Sequence, residues 1–260
     1  MPKLLVLIAE SKTMRDNEEI VSPEFWTEHI PAGELPADEI MKRLERLNAA
    51  ELSQQLGLSS SLAAKMSRMI YEFPNKTLGL KAIDAYTGVV FRALRYDELD
   101  RAAKARCDSD VRIVSSLYGL LRPSDIIKPY RLDFTSKAAP GDKALNVYLK
   151  KDVTVQLVRT LRDGAYTDIL NLLPSDAAKC IDWKVVKSFC KVWKADFVEV
   201  TDGGATRTPA ANKLKTMRGT LLRQIATEDI SDIEALRHCV SDTYVCEGTP
   251  EYPDHLRFLC

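Results

Sequence analysis

The sequence predicts a mixed α/β fold of the α+β kind, and three features support this prediction. Short apolar or β-branched runs at residues 3–9, 111–115 and 168–173 are typical of strands that are buried on both faces. Between these runs, apolar residues recur at the spacing of an α-helix. No linker divides the chain, so we expect one domain over residues 1–260, with a helical subregion at 36–80.

The first predicted strand ends in a polar loop, Glu10–Thr13. Loops at the carboxyl ends of strands line ligand crevices in open α/β sheets, but for this loop taken alone an ordinary solvated turn is the better explanation. Prolines and a glycine within residues 15–36 indicate an irregular connection. Asp38 is then expected to cap a helix whose apolar residues follow at helical spacing.

Residues 51–66 predict a short helix, a tight turn at Gly57 and a second helix that starts near residues 59–61. The pattern is similar to a helix-hairpin-helix element, whose turn directs backbone N–H groups toward a nucleic-acid phosphate. An ordinary αα-hairpin with a glycine C-cap is the alternative. The residues assigned to the hairpin element are Gly57, Leu58, Ser59 and Lys65.

The rest of the chain continues the alternation of helices and strands. Gly88 interrupts the helical pattern at 78–94, and Pro209 is expected to begin the helix at 209–226. The helical patterns cover residues 78–94, 97–107, 142–161 and 209–226, and one or two strands are expected within 189–200.

The segment from 111 to 137 carries the most distinctive side chains, with five basic residues against two acidic ones. Arginine offers a planar fork for phosphate or carboxylate, and tyrosine offers a stacking face and a hydroxyl. A structural loop in which Arg–Asp pairs satisfy one another is the alternative. The polar and aromatic residues of the loop are Tyr118, Arg122, Asp125, Lys128, Tyr130 and Arg131.

Composition limits the class of protein. The chain has 37 Lys and Arg against 37 Asp and Glu, so any polyanion must bind to a local basic patch. The longest apolar run is far shorter than the roughly 20 residues of a membrane helix, and no secretory leader is recognisable. Six scattered cysteines suit a reducing cytosol, and the His and Cys residues near the carboxyl terminus match no zinc module. We therefore expect a cytoplasmic protein without a metal or cofactor.

Several ordered blocks resemble the YaaA family of peroxide-stress-resistance proteins. The strongest is Ser115–Asp133, which follows the family pattern S-G-L-Y-G-x-L-R-P-x-D-x-I-x-P-Y-R-L-E almost continuously. The loop Ser11–Met14 stands where the family has S-P-A-K-T after its first strand, and residues 85–91 are similar to A-Y-x-G-x-x-Y. Asn171 and Leu172 with Lys179 follow N-L-A-S-x-E-Y-x-K, and Met217, Arg218 and Gly219 follow A-R-G.

The chain departs from this pattern after Asn171. Leu173 and Pro174 replace a small residue and a serine, and Asp176 and Ala177 replace a Glu-Tyr pair. The carboxyl-terminal F-x-x-x-G-Y block of the family is not recognisable. These departures indicate a divergent member.

The resemblance implies an α+β fold with a helix-hairpin-helix element, a basic cleft, cytoplasmic location, binding to duplex or branched DNA and a link to oxidative stress. We therefore predict a DNA-binding protein of the peroxide-stress type. The alternative is an enzyme that acts on a nucleotide, nucleoside or related small anion. The predicted binding residues are Ser11, Lys12, Tyr86, Tyr118, Arg122, Tyr130, Arg131, Asn171, Lys179 and Arg218.

Two residues have a catalytic role only under the enzyme alternative. Lys12, at the carboxyl end of a strand, would orient a phosphate or act as a base if it is buried. Asp125 would be a general acid or base, or would orient Arg122.

Overall fold

A mostly parallel central sheet forms the core of the computed structural model, and helices cover it, which confirms the mixed α/β class. The structure describes residues 2–15, 19–20, 30–31, 34–75, 78–201, 204–247 and 254–260. Within these residues, no helix is both long enough and apolar enough to cross a bilayer.

In the described ranges, the large sheet has the strand order β10-β11-β12-β8-β7-β1-β4-β5, and β9 pairs with β8. Strands β12, β8, β7, β1 and β4 are mutually parallel, so their carboxyl ends face one side of the molecule. A small second sheet has the order β2-β3-β6. The strands are β1 Leu4–Ala9, β2 Glu19–Ile20, β3 Leu78–Lys81, β4 Val111–Ser115, β5 Gly119–Leu121, β6 Ile126–Ile127, β7 Asp168–Asn171, β8 Lys191–Val200, β9 Thr206–Arg207, β10 Val240–Ser241, β11 Tyr244–Glu247 and β12 His255–Leu259.

The helices cover both faces of the sheet and supply the walls of its clefts. In the described part of the chain they are α1 Glu34–Leu44, α2 Ala49–Leu56, α3 Ser60–Glu72, α4 Ala82–Ala85, α5 Val89–Leu94, α6 Arg101–Asp110, α7 Leu145–Tyr148, α8 Lys150–Asp163, α9 Ser175–Ala178, α10 Trp183–Val186, α11 Ala211–Thr227 and α12 Ile233–Arg237. Short 3₁₀ turns lie at Tyr96–Glu98 and Pro140–Asp142.

Strand β1 is the centre of the core. All six of its residues are buried, as the continuous apolar run predicts. Leu4, Val6 and Ile8 point into the hydrophobic cluster on one face of the sheet. Leu5 and Leu7 point into the cluster on the other face. Burial on both faces places β1 between β4 and β7 and leaves its carboxyl end as the floor of a cleft.

Two predicted boundaries are wrong. Residues 78–81 form a strand that pairs with β6, because Leu80 faces the core while Lys81 stays exposed, and the helical pattern begins only at Ala82. Asp38 does not cap a helix, since it lies inside α1, which starts at Glu34. Pro36 lies in the first turn of α1, where backbone N–H groups have no acceptor within the helix, so a proline is tolerated there.

Helices α2 and α3 form the helix pair that the sequence predicts around Gly57. Gly57 adopts a left-handed conformation with φ +63°, and its N–H donates to the carbonyl of Ser53. Ser59 caps α3 by accepting a hydrogen bond from the N–H of Leu62. These contacts describe an αα-hairpin; the helix-hairpin-helix role of the turn stays a prediction.

Helix α11 packs closely along α5. At their crossing, a Cβ on Gly219 would lie 2.2 Å from the carbonyl oxygen of Val90 and 2.7 Å from the Cβ of Ala93. Only glycine allows this approach. The contact carries Arg218, the preceding residue, to the side of the sheet where the strands end.

Candidate functional site

A cleft of about 440 Å³ opens at the carboxyl end of β1, and we call it the β1 cleft. Its floor is the end of the strand and the loop Glu10–Thr13. Its walls come from the start of α5, from Asp133 and Phe134, and from α11. The carboxyl edge of a parallel sheet is where α/β proteins place their ligands, because the loops there diverge and leave a crevice.

The carboxylate of Glu10 is the centre of a hydrogen-bond network at this floor. Its Oε2 accepts a bond of 2.7 Å from the N–H of Ser116 and a second bond from the phenol of Tyr130. The phenol oxygen of Tyr130 also lies 2.7 Å from the hydroxyls of Ser115 and Tyr86. Ser115, Tyr86 and Tyr130 are all buried, so the network is shielded from bulk water.

Burial changes the protonation of this network. Burial raises the pKa of Glu10 to about 7, although hydrogen bonds from Ser116 and Tyr130 act to lower it. Burial, together with the charge of Glu10, raises the pKa of Tyr86 and of Tyr130 well above the usual tyrosine value. Near neutral pH the two phenols therefore stay protonated, while Glu10 exists in both forms and can donate or accept a proton.

Lys12 lies at the mouth of the β1 cleft in an ion pair with Asp133. Partial burial acts to raise the pKa of Asp133, but the hydrogen bond from Lys12 holds this pKa below its usual value. The Lys12 side chain is 60% exposed, so burial does not prepare it to act as a base. The arrangement instead makes a neutral, polar rim on one side of the cleft.

The loop after β1 is held against α5 by a close contact. A Cβ on Gly88 would lie 2.2 Å from the Oγ of Ser11. Ser11 in turn pairs with the hydroxyl of Thr13 at 3.0 Å. Gly88 thus allows the polar loop to lie directly on the start of α5, and both segments line the β1 cleft.

A second cleft of about 920 Å³, the lysine groove, runs past the ends of β7 and the middle of β8. Asn171 lies at its edge, and its Oδ1 accepts from the N–H of Leu173 at 3.0 Å. Among the described side chains that line the groove, one is acidic, Asp196. The basic ones are Lys150, Lys179, Lys187, Lys194 and Arg218.

Two of these cations are partly neutralised. Lys187 lies 3.3 Å from Asp254, and Lys179 lies 3.9 Å from Asp176. Lys150 and Lys194 form no ion pair within the described ranges, and both are exposed. The lysine groove therefore carries a local positive charge in a protein whose formal net charge is zero.

Arg218 lies where three clefts meet. It lines the β1 cleft, the lysine groove and a third cleft of about 420 Å³ between α11 and strands β8 and β12. Partial burial lowers the pKa of its guanidinium, and no acidic group in the described part of the chain forms an ion pair with it. A partly desolvated cation without a counter-ion is a favourable site for an anion.

The structure brings together some of the predicted site residues and separates others. Ser11, Lys12 and Arg218 line the β1 cleft, while Asn171, Lys179 and Arg218 line the lysine groove. Tyr86 and Tyr130 lie beneath the β1 cleft as buried hydrogen-bonding groups, so their rings offer no open stacking face.

Arg122 lies away from Lys12. Strand β5 runs antiparallel to β4, with Leu121 opposite Ile113, and so carries Arg122 to the amino end of β4. There Asp125 accepts bonds of 2.8 Å from both the N–H and the Nε of Arg122. The sequence allows either a binding loop or a structural loop in which Arg–Asp pairs satisfy one another. The Arg122–Asp125 pair has the second form.

Two further predicted residues are anchored by contacts outside the clefts. The phenol of Tyr118 is buried and accepts from the N–H of Lys128 at 3.0 Å. The N–H of Arg131 donates to the Sδ of Met66 in α3 at 3.2 Å. These contacts tie the loop after β4 to the core and to the αα-hairpin.

Sequence reasoning missed Glu10, Ser116, Lys150 and Lys194. A signal for Glu10 was present, since it is the acidic residue directly after a strand buried on both faces. No comparable signal marks the two lysines, which lie far apart in sequence and meet only in the folded chain.

Comparisons with known proteins agree with this architecture. A family model described as peroxide stress protein YaaA matches residues 4–249. A UPF0246 protein of Parabacteroides distasonis is 33% identical over 236 residues, which cover 90% of this chain and 91% of the relative. A UPF0246 protein of Desulforapulum autotrophicum is 30% identical over 94% of both chains, and one of Caulobacter vibrioides is 32% identical over 79% of this chain and 80% of the relative.

Proposed function

The chain belongs to the YaaA family of peroxide stress proteins, and from this premise we propose that it binds the phosphate backbone of duplex or branched DNA along the lysine groove. The strongest support for the proposal is the local charge of the lysine groove. The groove gathers five cationic side chains against one acidic side chain among its described lining residues. Because the protein is neutral as a whole, this local excess is where a polyanion gains free energy.

The geometry of the cations suits contact with phosphates. Lys150 begins α8, Lys194 lies in β8 beside the end of β7, and Arg218 lies on α11. Three separate elements thus present one cation each to the same groove. Phosphate contacts of this kind position DNA without reading its bases, so we expect weak sequence preference.

The αα-hairpin is a second surface that suits a phosphate contact. The first turn of α3 holds no acidic residue, and the turn Gly57–Ser59 leaves its amino end exposed. Lys65 lies exposed on the same helix. An exposed helix amino end attracts phosphate because its N–H groups and dipole are positive there.

The proposal predicts a steep dependence of DNA affinity on salt. Fluorescence anisotropy with a short duplex and a four-way junction, from about 50 to about 200 mM salt, measures the slope of affinity against salt concentration. Lys150→Ala and Lys194→Ala should each weaken binding of both DNAs and lower the slope by about 1. Lys191→Ala is the matched control, since Lys191 is exposed on the same strand as Lys194 but lies at the amino edge of the sheet, opposite Asp168.

Two results would contradict the proposal. The first is no binding of either DNA at low salt. The second is equal loss of affinity in Lys191→Ala and Lys194→Ala, because that result would place the DNA outside the lysine groove.

A further inference from the structure

We propose that the β1 cleft is a catalytic site in which Glu10 exchanges a proton with a small amphiphilic anion of the nucleoside monophosphate class, whose phosphate is held by Arg218. This activity goes beyond DNA binding and does not depend on it, because Glu10 lies in the β1 cleft and not in the lysine groove. Arg218 is shared by both clefts.

The size and lining of the β1 cleft argue for a small ligand. Its volume of about 440 Å³ falls in the range of small-molecule sites and is far too small for a duplex. One wall is apolar, made by Val89, Phe91 and Leu172 among others. The lining also carries the cations Arg92, Lys215 and Arg218, together with the carboxylate of Asp176. A ligand with an apolar part and one anionic end suits this lining.

The hydrogen bonds of Glu10 leave one oxygen for the ligand. Both bonds, from Ser116 and from Tyr130, end on Oε2. Oε1 accepts no hydrogen bond from the residues that the structure describes. This oxygen is not fully buried. The carboxylate is thus fixed by one oxygen and presents the other, which is the arrangement a general acid or base needs.

Ser116 lies next to Glu10 but is buried outside the lining of the β1 cleft. The Oγ of Ser116 is buried without a hydrogen-bond partner among the described residues, although it lies near enough to Glu10 to lower the pKa of that carboxyl. The backbone N–H and the hydroxyl of Ser116 both act on Glu10 and favour the ionised form of its carboxylate.

The proton transfer needs no oxidant or reductant. Ionised Glu10 takes a proton from an N–H, O–H or C–H group of the ligand; the new O–H bond forms on Oε1 as the ligand bond breaks, and the electron pair stays on the ligand atom. The reverse step returns the proton to the product. Tyr130 is a positioning residue, since it donates to Oε2 and stabilises the ionised form. The pKa of Glu10, raised by burial to about 7, allows both directions at neutral pH.

Calorimetry tests the coupling between ligand and proton. The probe is the methyl ester of adenosine 5′-phosphate, whose single charge does not titrate near neutral pH, unlike a free phosphate with a second pKa of about 6. Titrations in two buffers of different ionisation enthalpy give the protons taken up on binding. We expect about half a proton per ligand at pH ~7 for the native chain, because an anion beside Glu10 favours its protonated form. We expect none for Glu10→Gln, and the native value for Glu45→Gln, an exposed glutamate after α1.

Turnover tests the catalytic claim. Nucleoside 5′-phosphates of the common bases are incubated with the protein in D₂O and analysed by mass spectrometry for conversion or for deuterium at carbon. The rate should change with an apparent pKa near 7, and Glu10→Gln should lower it by at least about 100-fold. Arg218→Ala should raise KM more than it lowers kcat, and Tyr130→Phe should move the inflection in the pH profile upward.

Three results would overturn the inference: no binding of the probe, the same proton uptake in Glu10→Gln as in the native chain, or binding without conversion or exchange of any nucleotide. These failures are separate from failure of DNA binding, which depends on Lys150 and Lys194. Far-ultraviolet circular dichroism of each variant establishes that it is folded before its kinetics are compared.

Discussion

The Oε2 of Glu10, at the end of β1, accepts a hydrogen bond of 2.7 Å from the backbone N–H of Ser116, just after β4. The bond joins the carboxyl ends of two neighbouring parallel strands. Because the donor belongs to the backbone, the position of the carboxylate follows from the register of the sheet. A side chain held in this way is suited to a role that requires fixed geometry.

Replacement of Glu10 by glutamine should change how stability depends on pH. The folded-state pKa of about 7 is above the ordinary value of 4.5, so the folded chain binds more protons than the unfolded chain between these values. Stability of the native chain should therefore fall as pH rises from about 4.5 to about 7 and then level off.

Glu10→Gln removes this contribution and should be more stable than the native chain near pH ~8, by at most about 3 kcal/mol. Urea unfolding at about pH 5 and about pH 8 measures the difference. Glu45→Gln serves as the control and should track the native chain at both values. A Glu10→Gln curve parallel to the native one would contradict the raised pKa.

Replacement of Tyr130 by phenylalanine should strengthen the pH effect. The change removes the hydrogen bond to Glu10 and the contacts with Ser115 and Tyr86, all within a buried network. We expect a loss of stability of about 1–3 kcal/mol and a further rise in the pKa of Glu10. Carbon-13 NMR of the glutamate carboxyl follows the pKa directly, and an unchanged titration would show that the phenol does not hold the carboxylate.

Replacement of Gly219 by alanine should separate α11 from α5. The added Cβ would lie 2.2 Å from the carbonyl oxygen of Val90, which belongs to a helix backbone and cannot move alone. Overpacking of this kind costs about 1–3 kcal/mol, more than the roughly 1 kcal/mol that alanine gains in helix propensity. Thermal unfolding measures the net loss. Thr216→Ala, on an exposed part of the same helix, is the control and should change stability little.

Replacement of Asp125 by alanine should destabilise the loop after β5. Asp125 is buried and accepts from both the N–H and the Nε of Arg122, so the variant leaves that N–H without its acceptor. The expected loss is about 1–3 kcal/mol in urea unfolding. Asp97→Ala, at an exposed carboxylate that lies 3.9 Å from Arg15, is the comparison and should lose much less. Equal losses would mean that burial does not strengthen the Arg122 pair.

Three of the parallel strands, β1, β4 and β7, were predictable because each is a short apolar or β-branched run. Strand β12 was not predicted, because buried and partly exposed residues alternate over only five positions. Strand β1 is the clearest case, since burial on both faces requires an uninterrupted apolar stretch. Strand β3 was not predictable, because Leu78–Lys81 has too few residues to show a period and runs directly into a helix. Its pairing with β6 depends on tertiary contacts.

The site was predictable only in part, for a geometric reason. Lys12 follows a strand end, and its place at the sheet edge could be inferred from that. Arg122 lies in the block most similar to the family pattern, yet the chain reverses at Gly119 and carries Arg122 to the other edge. Motif similarity identifies residues but does not report which edge of a sheet they reach.

Arg218 carries one positive charge and lines three cavities. Its guanidinium cannot neutralise two anions in full, so occupants of adjoining cavities would compete for it. An anionic ligand in one cavity would thus weaken the binding of an anionic ligand in the next, and the effect would be reciprocal.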